Sequence, residues 1–199
     1  TAFYLNGVET AGSNTSHDAT QWTHYCFVFN SAGHGKINWG HPGRGYETNT
    51  QYHTHGYFDD VRMFNEALST SQITDLAAGN NGNPSLSASQ VLYENFEDNA
   101  YSGDVTTATI VSGGYNSSNY ALQSGGKNNY NRWRINTTTY QSVSFWYYRD
   151  SANSGSNMEA LFDNNRQTNG MNVLFFKNQT GHASKDKVSC MSSTSAITK

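Results

Sequence analysis

Residues 142–148 carry apolar side chains on both alternating faces, with Val143, Phe145 and Tyr147 on one and Trp146 and Tyr148 on the other. A strand of this kind has to be covered on both sides, by a core and by something else. A loop or a second sheet is the ordinary cover, and a ligand or a neighbouring subunit is the other. The remaining apolar runs are short and show no helical period. They occupy residues 3–8, 22–29, 36–39 and 57–64, then 90–96, 106–111, 120–122, 160–162, 171–176 and 188–192. Segments rich in Gly, Asn, Ser and His separate them, which are the residue types that turn a chain.

One helix interrupts the strands near 70–78. Ser69 with Gln72 three residues later is a capping box, Ile73 and Leu76 supply an apolar face, and Gly79 marks the stop. So short an element buries about two apolar side chains and has to pack against a sheet to be stable. From residue 80 to 89 the sequence turns to Gly, Asn, Pro and Ser, which reads as a linker.

The chain of 199 residues suits one large domain or two small ones. Its net charge of −3 offers no positive field for phosphate backbones, so nucleic acid is excluded as a partner. No stretch approaches the roughly 20 apolar residues of a membrane span, and no membrane insertion is expected. The first residue is Thr1 and not Met, which reads as a processed product or an excerpt of something longer. Four N-glycosylation sequons, at Asn14, Asn116, Asn136 and Asn178, point to an extracellular or cell-surface location. The two cysteines, Cys26 and Cys190, permit one disulfide or stand as separate buried thiols.

Several segments resemble the laminin-G-like, concanavalin A-like jelly-roll superfamily. Tyr93-Glu94-Asn95-Phe96-Glu97-Asp98 looks like its opening strand, and Tyr120-Ala121-Leu122 with Gly125 and Gly126 like the small-residue segment that follows. Ser142-Val143-Ser144-Phe145-Trp146-Tyr147 is similar to its Ser-Phe-Trp strand, and Trp22-Thr23-His24-Tyr25-Cys26-Phe27 to its Trp-x-His strand. Tyr57-Phe58-Asp59-Asp60-Val61-Arg62-Met63-Phe64, followed by Ala67-Leu68-Ser69, is similar to the closing strand and helix, and is the most specific match.

The resemblance implies an all-β, two-sheet jelly-roll sandwich, read in circularly permuted order. Residues 90–199 form the N-terminal half, 80–89 the linker and 1–79 the C-terminal half. Natural permutation, an excerpt of tandem repeats and strand exchange between subunits all produce such an order. In each case the two halves complete one domain, within one chain or between adjacent copies. The bridge from Cys26 to Cys190 would then staple the halves.

The resemblance also raises chemistry. Related β-glucanases need paired carboxylates on one strand face, but Glu94 and Glu97 are three apart, and Asp59 and Asp60 are adjacent, so each pair diverges. A structural hydrogen-bonding role is expected for the two Asp residues. Calcium is the ion the family implies, with Glu97, Asp98 and Asp104 as candidate ligands. His53 and His55, with His34 or His41, are a weaker set for a transition metal.

Residues 40–56 form a long polar segment beside Trp39 that carries His41, Arg44, Tyr46 and Tyr52. Aromatic faces and hydroxyl-reaching polar groups of this kind build sugar sites, and Tyr130 and Trp133 are possible contributors. No arrangement of Ser, His and Asp or of Cys and His suggests a nucleophile. The expected function is a non-catalytic extracellular module, a structural or adhesive repeat whose partners are copies of itself. The alternative is a carbohydrate-binding, lectin-like module whose partners are glycans.

Overall fold

The computed structural model describes residues 2–10, 13–16, 20–39, 56–80, 84–98, 104–106, 109–124, 132–149, 158–163, 171–176 and 187–192. Strands β1 (Ala2–Leu5), β2 (Val8–Thr10), β3 (Ser13–Ser16), β4 (Thr23–Trp39) and β5 (Gly56–Phe64) come first. Helices α1 (Thr70–Ala77) and α2 (Pro84–Ser89) follow. The remaining strands are β6 (Gln90–Glu94), β7 (Asp104–Thr106), β8 (Thr109–Ser112), β9 (Tyr120–Ser124), β10 (Arg132–Arg149), β11 (Met158–Asp163), β12 (Met171–Phe176) and β13 (Lys187–Ser192). A 3-10 turn at Tyr115–Ser117 lies between β8 and β9.

Among the described residues thirteen strands join one antiparallel network, whose main path runs β3-β13-β12-β11-β4-β10-β5-β9-β8. Its spine is the ribbon of β4 and β10, paired from Trp39 opposite Trp133 to Thr23 opposite Tyr147. The two short runs expected at 22–29 and 36–39 are therefore parts of one strand, and 142–148 is the end of an 18-residue strand. The Gly- and Ser-rich stretch between them reads as a turn in isolation, yet it finds ladder partners at Thr137 and Tyr140, with register shifts that absorb the mismatch.

The two halves of the chain share this sheet. β5 pairs with β10, β6 and β9, β4 pairs with β10 and β11, and β3 pairs with β13. Strands from both ends of the sequence thus complete each other within one molecule. The expected linker is only partly one. Residues 84–89 form α2, Leu86 is buried, and the strand β6 begins at once. Pro84 opens that helix, a position where its missing N–H removes no helical bond.

Apolar alternation sets the two faces. On one face Phe3, Tyr25, Phe27, Val143, Phe145, Tyr147, Phe58, Val61 and Met63 form the main core, joined by Phe96, Leu122, Tyr140 and Leu161. Its rings interlock, with Phe3 and Phe27 stacked at 4.6 Å between centroids and Tyr25 and Phe145 at 5.4 Å. Such pairs contribute beyond the area they bury. On the other face Tyr4, Cys26 and Phe64 pack under Leu68, Ile73, Leu76 and Leu86. The α1 cap forms as its sequence requires, with the Ser69 amide donating to Gln72 Oε1 at 2.8 Å. Ser142 ties the sheet to the segment leading into α1, accepting from the Leu68 amide at 3.0 Å and donating to the Glu66 carbonyl at 2.7 Å.

Cys26 corrects one expectation. It is a free thiol, fully buried in this second cluster, and burial pushes its pKa well above the ordinary value. Cys190 lies on β13 opposite Val173, while Cys26 lies on β4 between Tyr4 and Ser144. The expected bridge between them is therefore not formed.

Candidate functional site

The half of the helix-side face that α1 and α2 leave open holds a different set of residues. On β5, Asp59 lies opposite Trp146 and Arg62 opposite Ser144, so β5 carries one residue more than β10 across this interval. The extra residue makes a bulge, and Asp60 within it has a φ of +49°. Asp tolerates the left-handed region because its short side chain bonds locally. Here the Asp60 amide donates to Asp59 Oδ1 at 2.7 Å. The bulge brings two carboxyls expected to diverge to the floor of one cavity of about 310 Å³. Tyr93, Asn95 and Glu97 form one side, the 115–118 turn another, and Gly79 at the end of α1 closes it.

The turn is built for close approach. The Gly113 amide donates to the Asn119 carbonyl at 2.8 Å, and the Gly114 amide to the Ser118 carbonyl at 2.9 Å. A side chain at Gly114 would overlap Asp59 Oδ2, Ser118 Oγ and the Tyr120 carbonyl. Asn116 and Ser117 are also left-handed, at φ +50° and +68°. Backbone strain gathered at one place needs the surroundings to hold it there. Tyr115 supplies part of that hold, its ring stacked on Trp146 at 3.4 Å and 12°. The second apolar face of β10 is thus covered by the chain's own turn, and by Trp22 and Tyr57 beside Tyr148.

The three carboxyls are held differently. Asp59 is 2% exposed, and burial raises its pKa to about 7 despite bonds from the Tyr115 amide at 2.8 Å and the Asp60 amide. Glu97 is held below its ordinary range, first by the Ser118 hydroxyl and then by the Asn119 side chain at 2.8 Å, with the Asn119 amide at 2.9 Å adding to the set. Asp60 accepts from the Tyr93 hydroxyl at 2.7 Å and faces the Arg62 guanidinium at 3.6 Å. That guanidinium lies 3.9 Å from the centre of the Tyr93 ring and donates to Gln90 Oε1 at 3.1 Å. Burial, and then the bond to Asp60, push the Tyr93 hydroxyl up to about 12.

His24 lies beside this group on β4, with Nε2 2.8 Å from Ser144 Oγ and its ring 5.2 Å from that of Trp146. It is buried, and desolvation, followed by the charge of Arg62, lowers its pKa to about 3. It is neutral under ordinary conditions.

The residues named as calcium ligands are Glu97, Asp98 and Asp104. Glu97 is occupied by protein donors, Asp98 is exposed, and Asp104 falls on β7 opposite Arg134. Among the described residues no group of three or more His, Cys, Asp or Glu is placed to hold a metal ion. For the expected sugar site, β4 ends at Trp39, directly opposite Trp133 of β10. His41, Arg44, Tyr46 and Tyr52 lie outside the described residues, as do His53, His55 and Tyr130. Of the sequons, Asn14 is on β3 and Asn136 on β10 opposite Lys36, while Asn116 is exposed at the cavity rim. Asn178 lies outside the described residues.

Sequence reasoning passed over Tyr115 and Ser118. The signal was the Gly113-Gly114 pair followed by Asn116-Ser117-Ser118, residues that favour left-handed turns. In comparisons with known proteins, no family model, no curated protein and no solved structure matches the chain. The site's own geometry is what carries its functional reading.

Proposed function

We propose that the chain is a non-catalytic recognition module, a jelly roll of the laminin-G-like kind in permuted order, that binds a carbohydrate in the Asp60–Tyr93–Glu97 cavity. One observation supports this above others. An opening of about 310 Å³ combines the rings of Tyr93 and Tyr115 with the carboxylate of Asp60 and the side-chain amides of Asn95 and Asn116. Sugar sites join aromatic surface to a few fixed polar groups in this manner. The carboxyls are poorly disposed for glycoside hydrolysis. The Ser118 hydroxyl stands between Asp59 and Glu97, where a glycosidic oxygen would have to sit, and Glu97 has both oxygens bonded to the protein.

A glycan array followed by calorimetry tests the proposal. Binding weakened at least about tenfold by Tyr93→Ala, equivalent to about 1.4 kcal/mol, supports it. A blank array sinks it. Binding that survives Tyr93→Ala and disappears in Trp39→Ala or Tyr46→Ala would move the sugar to the 40–56 segment instead.

A structural or adhesive repeat at a cell surface is the second reading. Val91 and Tyr93 on β6 are 42% and 40% exposed, on a strand whose one partner among the described residues is β5. Unpaired strand edges with apolar side chains are templates for association. Assembly of this kind would join such edges between copies, with or without exchange of strands. Sedimentation that stays monomeric at high concentration would count against it.

A further inference from the structure

The carboxyls that line the cavity differ in how far the protein already uses them. Both oxygens of Asp59 are taken, Oδ1 by the Asp60 amide at 2.7 Å and Oδ2 by the Tyr115 amide at 2.8 Å. Both oxygens of Glu97 are taken as well, Oε1 by the Ser118 hydroxyl and the Asn119 amide, Oε2 by the Asn119 side chain. Asp60 is used on one side. Its Oδ1 accepts from the Tyr93 hydroxyl at 2.7 Å and faces Arg62 at 3.6 Å, while its Oδ2 takes no hydrogen bond from a described residue. The Asp60 side chain is 20% exposed, so a ligand in the cavity can reach it.

Charge gives this opening a sign. Among the described residues the lining contains three carboxyls and no Lys, Arg or His. Every donor to Glu97 is a neutral hydroxyl or amide, so these bonds hold its charge in place without cancelling it. Arg62 is buried outside the lining, and its one guanidinium is shared among Asp60 Oδ1, Gln90 and the Tyr93 ring. One cation therefore stands behind Asp60, and none stands over Glu97. A ligand group that brings acceptors alone, such as a carboxylate or a sulfate, would leave Oδ2 unpaired and add like charge. A group that brings both donors and positive charge meets both demands.

We propose that Asp60 is the specificity-determining residue of this cavity, and that the carbohydrate it selects is an amino sugar whose free ammonium donates to Asp60 Oδ2, a step that rests on the sugar-site reading above. The rings of Tyr93 and Tyr115 supply apolar surface for the pyranose, and the side-chain amides of Asn95 and Asn116 are placed for its hydroxyls. The acceptor is set before the ligand arrives. Asp60 sits in the bulge at φ +49°, and Tyr93 holds its other oxygen. Binding makes hydrogen bonds only, and no covalent bond changes.

Calorimetry of the full chain, at a mildly acidic pH that keeps the amino sugar protonated, compares oligomers of glucosamine, N-acetylglucosamine, glucose and glucuronic acid. Oligolysine serves as a source of ammonium without a sugar ring. The glucosamine oligomer is expected to bind about tenfold or more tightly than the glucose and N-acetylglucosamine oligomers, by a margin that shrinks as salt rises. Asp60→Asn keeps a residue that tolerates positive φ and an oxygen for Tyr93, while the open oxygen becomes an uncharged donor. It is expected to erase the glucosamine advantage and to leave binding of the glucose oligomer in place. An advantage that persists in Asp60→Asn, equal binding of all four oligomers, or tighter binding of glucuronic acid would overturn the amino-sugar assignment and leave the sugar site standing. Oligolysine binding as tightly as the glucosamine oligomer would overturn it too, by showing attraction to charge alone. If no oligomer binds, the assignment falls, and the glycan array decides the broader reading separately. Should Asp60→Asn fail to fold, the ranking in the unaltered chain decides it.

Discussion

His24 and Asp59 are displaced from their ordinary ionisation in opposite senses, both chiefly by burial, and they flank the same Trp146. Their effects on stability therefore have opposite slopes. Asp59 is protonated in the fold and ionised in the unfolded chain between about 4 and 7, so it makes stability fall as pH rises through that window. His24 is neutral in the fold and charged in the unfolded chain between about 3 and 6.5, so it makes stability rise with pH there. Each shift corresponds to a few kcal/mol, roughly 1.4 per pH unit, and between about 4 and 6.5 they largely cancel. Denaturant titrations at a series of pH values are expected to show nearly flat stability for these two groups over this range. Asp59→Asn should unmask a stability that grows with pH, and His24→Leu one that declines with it. Slopes of the same sign in both variants would contradict the argument.

The elements show which parts of the architecture local pattern governs. Helix α1 forms where its capping box and its two apolar residues place it, and it is held by what lies beneath: Ile73 and Leu76 cover Tyr4, Cys26 and Phe64. Ser69→Ala is expected to lower stability by about 1 kcal/mol, the usual loss for an N-cap, whereas Ile73→Ala should cost about 3 kcal/mol because it opens a cavity over the sheet. Urea unfolding of the two variants checks the ranking, and a larger loss from the cap would show that the helix stands on its own hydrogen bonds. Period-two alternation made most strands legible in the same way, as in Phe3, Tyr25, Phe27 and Phe145 of the main core. Two features escaped it for a common reason. The continuity of β4 through Gly33 and Gly35 and the bulge at Asp60 are properties of pairing with β10, and a register between distant strands leaves no local mark. The cavity inherits that invisibility, since one additional residue in β5 is what turns Asp59 and Asp60 toward Glu97.

At the scale of the whole molecule, contacts between the two halves of the sequence outweigh order along it. β5 is completed by β6, β9 and β10 from the second half, and β3 of the first half pairs with β13 of the second, Lys187 opposite Ser16. The pairing of β3 with β13 sets residues 13–16 beside residues 187–189, and a fold whose ends come near each other in this way tolerates their joining with a loop opened elsewhere. A circular permutant that links residue 199 to residue 1 through a short Gly/Ser segment and opens at 81–83 puts this to the test. It keeps α2 whole, with Leu86 on the sheet, and restores the strand order read from the resemblance. Such a chain is expected to fold with unchanged near-ultraviolet circular dichroism and a stability within about 2 kcal/mol of the original, since loop closure depends only weakly on length. A second permutant opened between Tyr25 and Cys26 should fail, because that cut divides a strand paired with β1 on one side and β10 on the other. Collapse of the first permutant, or equal stability of both, would mean that the order of elements matters for reasons outside this sheet.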